Sequence, residues 1–423
     1  MTLQERDKKH IWHPLTQHKT HPNVLPIKSA KGALLFDENG KSYIDGIASW
    51  YTSMYGHCNP YILDKVQVQM QQLDQIIFSG FTHEPAVELS EKLIDILPKN
   101  QQKVFFSDNG STSTEVGIKM ALQYHFNKGN NRNVILAFEE GFHGDTFGAM
   151  SASGLSVYNG PFEEHFIKVV RIPVPTLATI EQVKVQLNNL IEEFAIAGFI
   201  YEPLVQGAAG MKMYEASHLN ELLSICNKHN IITIADEVMT GFGKTGTYFA
   251  SDQLKVKPDV ICMSKALTAG FVPMAITSCT QEIYDAFYSD DMSKGLFHAH
   301  TYTANPIACA SAIAGIELLV SNDIKENSKK IINKHSEFSK QLKLHSKVKN
   351  VRQTGVILAF DLAIEMDRYG SLRDKMFKHF MDQGVFLRPL GNTIYLLPPY
   401  IIKEEQLNTI YNAIIELLDK ELI

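Results

Sequence analysis

Short runs of four or five apolar residues, mostly β-branched or aromatic, recur through the first two thirds of the chain, separated by amphipathic stretches of helix length. The runs are Val104 to Ser107, Val134 to Phe138, Ala197 to Tyr201, Ile231 to Ala235 and Val260 to Met263. Runs that are apolar on both faces are buried strands, and helix-length spacers fit crossovers between parallel neighbours. The chain therefore reads as α/β. With 423 residues and 45% hydrophobic content, it is long enough for one large core and a smaller second one.

Near Asn305 the pattern changes to a long helical stretch, then two strand-like pieces, Gly355 to Asp361 and Ile394 to Leu397. A final helix follows, with Leu407, Ile410, Tyr411, Ile414 and Leu418 on one face. The expected division is an N-terminal segment over 1–50 packing with the small domain, a large domain over 51–310, and a smaller α+β domain over 311–423.

The net charge is −6 and the lysines and arginines are scattered, so no basic footprint for nucleic acid or an anionic membrane is present, and small-molecule partners are expected. Cys58, Cys226, Cys262, Cys279 and Cys309 form no CxxC pair, which argues against a disulfide framework and a structural zinc site. The N-terminus has no apolar stretch of signal-peptide or membrane-span length, so the cytoplasm is the expected address.

Ligands of open α/β sheets bind beyond the carboxyl ends of the strands. Two strand ends there carry chemistry. Ile231 to Ala235 runs into Asp236-Glu237 and a glycine-rich turn, and Asp259 to Ser264 runs into Lys265. A single lysine at a strand end is as often a solvated cap, but an aldehyde cofactor with a pyridine ring needs both an amine and an acid to keep its ring nitrogen protonated. Lys265 and Asp236 supply the two. A phosphate site is offered by Ser107 to Thr112, which follows a strand and opens a helix, where backbone N–H groups and the helix dipole favour an anion. Gly243-Lys244-Thr245 looks like the end of a nucleotide-binding P-loop, but Val238 stands where the first glycine is required. His298 and His300 have no further ligand nearby at metal spacing, so no metal is expected.

With these residues in place, the chain resembles the class III pyridoxal-phosphate aminotransferases over essentially its full length, including Ala235-Asp236-Glu237-Val238 to Gly246 and Ser264-Lys265-Ala266-Leu267. The resemblance implies the pyridoxal-phosphate transferase fold type I, with a mainly parallel sheet between helices and a smaller α+β domain. It also implies pyridoxal 5'-phosphate as cofactor, a keto substrate and an amino donor, and a homodimer with shared active sites. Lys265 and Asp236 would be catalytic. Gly110 and Ser111 would contact the phosphate, Phe142 would stack on the ring, and Thr301 would reach the phosphate of the neighbouring subunit. Trp50, Phe142, Arg388 and Tyr395 would line the substrate pocket, Arg388 pairing with a carboxylate.

Four segments are similar to the branch of the class that serves biotin synthesis: His10 to Pro14, Gly141 to Met150, Glu202 to Ala208, and Arg388-Pro389 with Ile394 to Tyr400. In that branch the expected donor is S-adenosylmethionine. The alternative is an ω-aminotransferase of the same class acting on lysine, ornithine or aminobutyrate. Leu15 and Phe142 stand where the branch often has tyrosines, so two pocket hydroxyls are missing and the donor wall is altered.

Overall fold

The computed structural model describes residues 1–21, 24–156, 159–366 and 370–420. A seven-stranded sheet forms its centre, in the order Gln101–Ser107, Ala275–Thr280, Val260–Met263, Ile232–Asp236, Ile196–Tyr201, Val134–Phe138, Val169–Ile172. Neighbours are parallel except where Ala275–Thr280 takes part, and that strand runs antiparallel to both of its partners.

Five of the seven strands are those expected from apolar runs. The other two, Val169–Ile172 and Ala275–Thr280, were not anticipated. Ala275–Thr280 is buried yet carries hydroxyls, which find partners inside: Thr277 Oγ1 donates to the Ser113 carbonyl (2.8 Å) and Ser278 Oγ to Gln101 Oε1 (2.7 Å). The link from Met263 is too short for a crossover helix, so the chain returns antiparallel. Val169–Ile172 is an edge strand, buried only at Ile172.

The helix Gly110–Asn127 lies close on this sheet because glycine removes the obstacle at Gly117. A Cβ there would sit 3.0 Å from Cys262 Sγ and 3.1 Å from Ile234 Cγ2. From the sheet side, a Cβ on Gly198 would come within 2.9 Å of Ala121 Cβ.

Towards the C-terminus, Val348–Thr354, Ile357–Leu362 and Thr393–Leu396 form an antiparallel three-stranded sheet. The long helical stretch is two helices, Pro306–Val320 and Asn322–Leu342, broken at Ser321, whose extended backbone (φ −66°, ψ 151°) caps the second. The N-terminal strands Ile27–Lys31, Leu34–Asp37 and Ser42–Asp45 share a sheet with Val385–Phe386, which pairs parallel with Ser42–Asp45. Among the bonds that tie the C-terminal sheet region to loops beyond the central strands are Tyr400 Oη to the Phe242 carbonyl (2.6 Å), Val356 N–H to the Lys244 carbonyl (3.0 Å) and Arg352 Nε to the Met211 carbonyl (2.9 Å). Among the described residues no single helix is long and apolar enough to cross a membrane.

Candidate active site

Asp236 ends one central strand, and Lys265 follows the parallel neighbour after Ser264, with Asp236 in register with Cys262. Both side chains therefore emerge at the carboxyl end of the sheet. Asp236 Oδ1 accepts the Val238 N–H (3.1 Å), and Oδ2 lies 2.8 Å from His143 Nδ1. His143 is buried and fixed through its backbone, its N–H donating to Ser153 Oγ (2.9 Å) and its carbonyl accepting Thr114 Oγ1 (2.8 Å). His143 is not among the residues that the sequence marks as catalytic. Its position just beyond the strand Val134–Phe138, at the same sheet end as Asp236, is the signal that points to it.

The candidate anion site lies at the start of Gly110–Asn127. Asn109 caps the helix, its side chain taking the Thr112 N–H (3.1 Å) and its carbonyl the Ser113 N–H (3.0 Å). The amides of Gly110 and Ser111 stay outside the intrahelical ladder, as at any helix start. Gly110 is required by packing, because a Cβ would meet Val238 Cγ1 at 2.8 Å. Ser111 Oγ accepts the Asp145 N–H (3.0 Å), and a Cβ on Gly144 would fall 2.1 Å from that same oxygen. Glu115, one turn on, holds the other end of this loop by accepting Thr146 Oγ1 (2.6 Å) and the Gly148 N–H (2.7 Å). The helix start, the Phe142–Gly144 loop and Asp236 to Val238 thus close on one another.

Phe142 is 43% exposed at this cleft, with its N–H donating to Glu202 Oε1 (3.0 Å). Glu202 is a functional candidate that sequence reasoning saw only as part of a motif. Buried after the strand Ile196–Tyr201, it also accepts the Gly207 N–H at Oε2 (2.9 Å). Burial pushes its carboxyl up to about 7, Asp236 acting the same way, while His143 and the two backbone amides pull it down.

Lys265 is partly accessible at the cleft floor and takes a left-handed φ of 48°. Burial of the amine holds it below the ordinary lysine range, with the carboxylates of Asp236 and then Glu202 acting the other way. Its Nζ stands 5.1 Å from the centre of the Tyr51 ring. Tyr51 Oη donates to Tyr395 Oη (3.1 Å), and burial lifts the Tyr395 phenol up to about 12. Beside Tyr51, Trp50 lies 42% exposed with the Arg388 guanidinium carbon 4.9 Å from its ring centre. Ala48, Ser49, Trp50 and Tyr51 have φ of 47°, 46°, 68° and 75°. Such a left-handed turn of L-residues costs about 1–2 kcal/mol per residue.

The structure thus brings Lys265, Asp236, Gly110, Ser111, Phe142, Trp50 and Arg388 together, whereas Tyr395, expected to line the pocket, is buried behind Tyr51 and reaches the site only through it. Thr301 stands elsewhere, on an exposed loop where its carbonyl accepts Gln75 Nε2 (2.8 Å). Leu15 is exposed, with a left-handed φ of 50°. Lys244 is fully buried, its Nζ donating to the Gly241 carbonyl (2.8 Å), and burial, then Lys265, bring it down to about 7 against the pull of Glu237.

A half-open lysine facing a carboxylate, a helix-start anion site and an exposed aromatic face define an enzyme cleft for a phosphorylated aromatic cofactor. The class III aminotransferase family model matches residues 15–418, and the chain belongs to that family. It is 43% identical to the adenosylmethionine-8-amino-7-oxononanoate aminotransferase of Synechococcus elongatus, covering 97% of this chain and 99% of that one. It is 35% identical to the enzyme of the same name from Helicobacter pylori, covering 98% and 97%. Among solved structures, the Methanocaldococcus jannaschii adenosylmethionine-8-amino-7-oxononanoate aminotransferase superposes with a TM-score of 0.93 at 32% identity over 98% of each chain. An amine transaminase from an uncultivated Pseudomonas species, in its PLP-bound form, gives 0.89 at 28% identity over 96% and 97%.

Proposed function

We propose that this chain is a pyridoxal 5'-phosphate-dependent aminotransferase that converts 8-amino-7-oxononanoate to 7,8-diaminononanoate in biotin biosynthesis, with S-adenosylmethionine as amino donor. The observation that carries the reaction type is the placement of Lys265 and Asp236 at adjacent strand ends beside the Gly110–Ser111 helix start. The substrate is supported by the near full-length similarity to enzymes named for it.

The residues fit the cofactor. Gly110 lets the helix start pack against Val238, the amides of Gly110 and Ser111 suit a phosphate, and Phe142 is open at the cleft. When bound, pyridoxal phosphate supplies a reactive aldehyde and an electron sink. Lys265 would hold the cofactor through Nζ, and with that amine free it would take the proton from the substrate carbon that bears the nitrogen. Asp236, oriented by His143 and the Val238 amide, keeps a proton on the ring nitrogen. Arg388 pairs with the substrate carboxylate while Trp50 packs against the guanidinium, and Tyr395 closes the pocket behind Tyr51.

A homodimer is part of this reading, with Thr301 serving the partner's phosphate site. The loops before His83 and before Asn305 are joined by the Gln75–Thr301 bond and expose Ile77, Phe81, Phe297 and Tyr302, an apolar surface suited to a second copy. The free cysteines, with Cys58 exposed, suit the reducing cytoplasm. The test is a half-reaction screen by absorbance with S-adenosylmethionine, lysine, glutamate and ornithine, followed by turnover with 8-amino-7-oxononanoate. Conversion of the bound cofactor by S-adenosylmethionine is the expected result. Conversion by ornithine or lysine alone, with no turnover of 8-amino-7-oxononanoate, would move the chain to the ω-amine branch.

A further inference from the structure

The turn Ala48–Tyr51 puts two consecutive rings to separate uses, Tyr51 beneath Lys265 and Trp50 beneath Arg388. No glycine lies within it, so its left-handed backbone must be imposed from outside. Its own bonds are those of a tight turn, Tyr51 N–H to the Ile47 carbonyl and Thr52 N–H to the Ala48 carbonyl, both 2.9 Å. The imposing group is a carboxylate. The Asp45 side chain is fully buried, with Oδ1 accepting the Ile47 N–H (3.2 Å) and Oδ2 accepting Ser49 Oγ (2.9 Å) and lying 2.9 Å from His57 Nε2. His57 is itself pinned, exchanging backbone bonds with Gly32 at 3.0 and 2.8 Å. Asp45 also sits opposite Phe386 in the parallel strand pair, two residues before Arg388. One carboxylate therefore stands at the root of both sides of the cleft wall.

We propose that Asp45 is a positioning residue, holding the Ala48–Tyr51 turn left-handed so that Tyr51 meets Lys265 and Trp50 meets Arg388 at the same time. The roles of Lys265 and Arg388 in this inference rest on the aminotransferase reading above. The chain has only two tryptophans, and Trp12 is 90% exposed, so in a Trp12→Phe background Trp50 reports its own position by fluorescence.

The experiment compares Asp45→Asn with its parent in that background, as holoenzymes. Acrylamide quenching of Trp50 is expected to rise about twofold and KM for the keto substrate about tenfold, with kcat changed less, as for lost positioning of a bound group. Adding Ala48→Gly, which relieves the positive φ, is expected to recover at least about threefold of that KM. Unchanged Trp50 quenching, or no recovery with glycine, overturns the proposal. If Asp45→Asn does not fold, Ser49→Ala removes only one donor and is expected to raise quenching by about 1.5-fold and KM by about threefold. No change in either overturns the idea as well. Absence of wild-type turnover on 8-amino-7-oxononanoate would sink the substrate reading instead, and Trp50 quenching would still decide the role of Asp45.

Discussion

His143 Nδ1 and Asp236 Oδ2 lie 2.8 Å apart with both side chains buried, and the second Asp236 oxygen is held by the Val238 amide. A carboxylate fixed at both oxygens cannot rotate away from a ring placed before it. Asp236→Asn should retain some cofactor but lower kcat on the order of a thousandfold, because a neutral ring holds carbanion charge poorly. His143→Asn should cost about tenfold to a hundredfold, since it alters only the orientation of the acid. Steady-state kinetics check both, and equal losses would place His143 in direct contact with the chemistry.

Lys265→Ala should abolish borohydride-stable attachment of the cofactor and lower turnover by at least about ten thousandfold, as the proposed covalent anchor and proton carrier are one residue. Peptide mapping after reduction locates the label. A labelled Lys244 in its place would mean that the buried second amine serves as anchor.

Arg388→Ala should raise KM for the keto substrate by about a hundredfold, the loss of a charge-assisted pair, and leave the affinity for pyridoxal phosphate within about twofold. Titration of apoenzyme with cofactor separates the two effects. Equal losses would make Arg388 a structural residue that merely holds Trp50.

Acid stability should depend on His335, buried against Tyr411 with Nδ1 2.7 Å from the phenol oxygen. Burial pushes this imidazole down to about 3 from its ordinary 6.5, so the unfolded chain binds the proton more readily across that window. Its contribution to stability is complete above pH 6.5 and is lost as pH falls towards 3. Between pH 8 and pH 5 this one group should remove about 2 kcal/mol, and His335→Gln should flatten that slope in urea titrations.

Much of the cleft was legible because buried parallel strands are continuous apolar runs, and a charged residue just past such a run is conspicuous. That logic locates Asp236 and Lys265, and the capped helix after Ser107 locates Gly110. It fails for Glu202, whose partners are the amides of Phe142 and Gly207 and leave no trace in residue identity. It fails again at Ala48 to Tyr51, where nothing in the four side chains announces a left-handed backbone, because Asp45 imposes it. The strand Ala275–Thr280 was hidden by hydroxyls whose partners, Ser113 and Gln101, lie far away in sequence.

The close seat of Gly110–Asn127 on the sheet has a consequence for how this chain can change over generations. Gly117 rests against Cys262 and Ile234, on the strands that lead to Lys265 and Asp236, while the start of the same helix presents the amides of Gly110 and Ser111 proposed to hold the phosphate. A larger residue at Gly117 would lift the whole rod, and with it the anion site, away from the lysine and the acid. Mutational drift in the interior is thereby coupled to catalysis, and a library screened only for solubility should show Gly117 variants that fold yet no longer retain their prosthetic group.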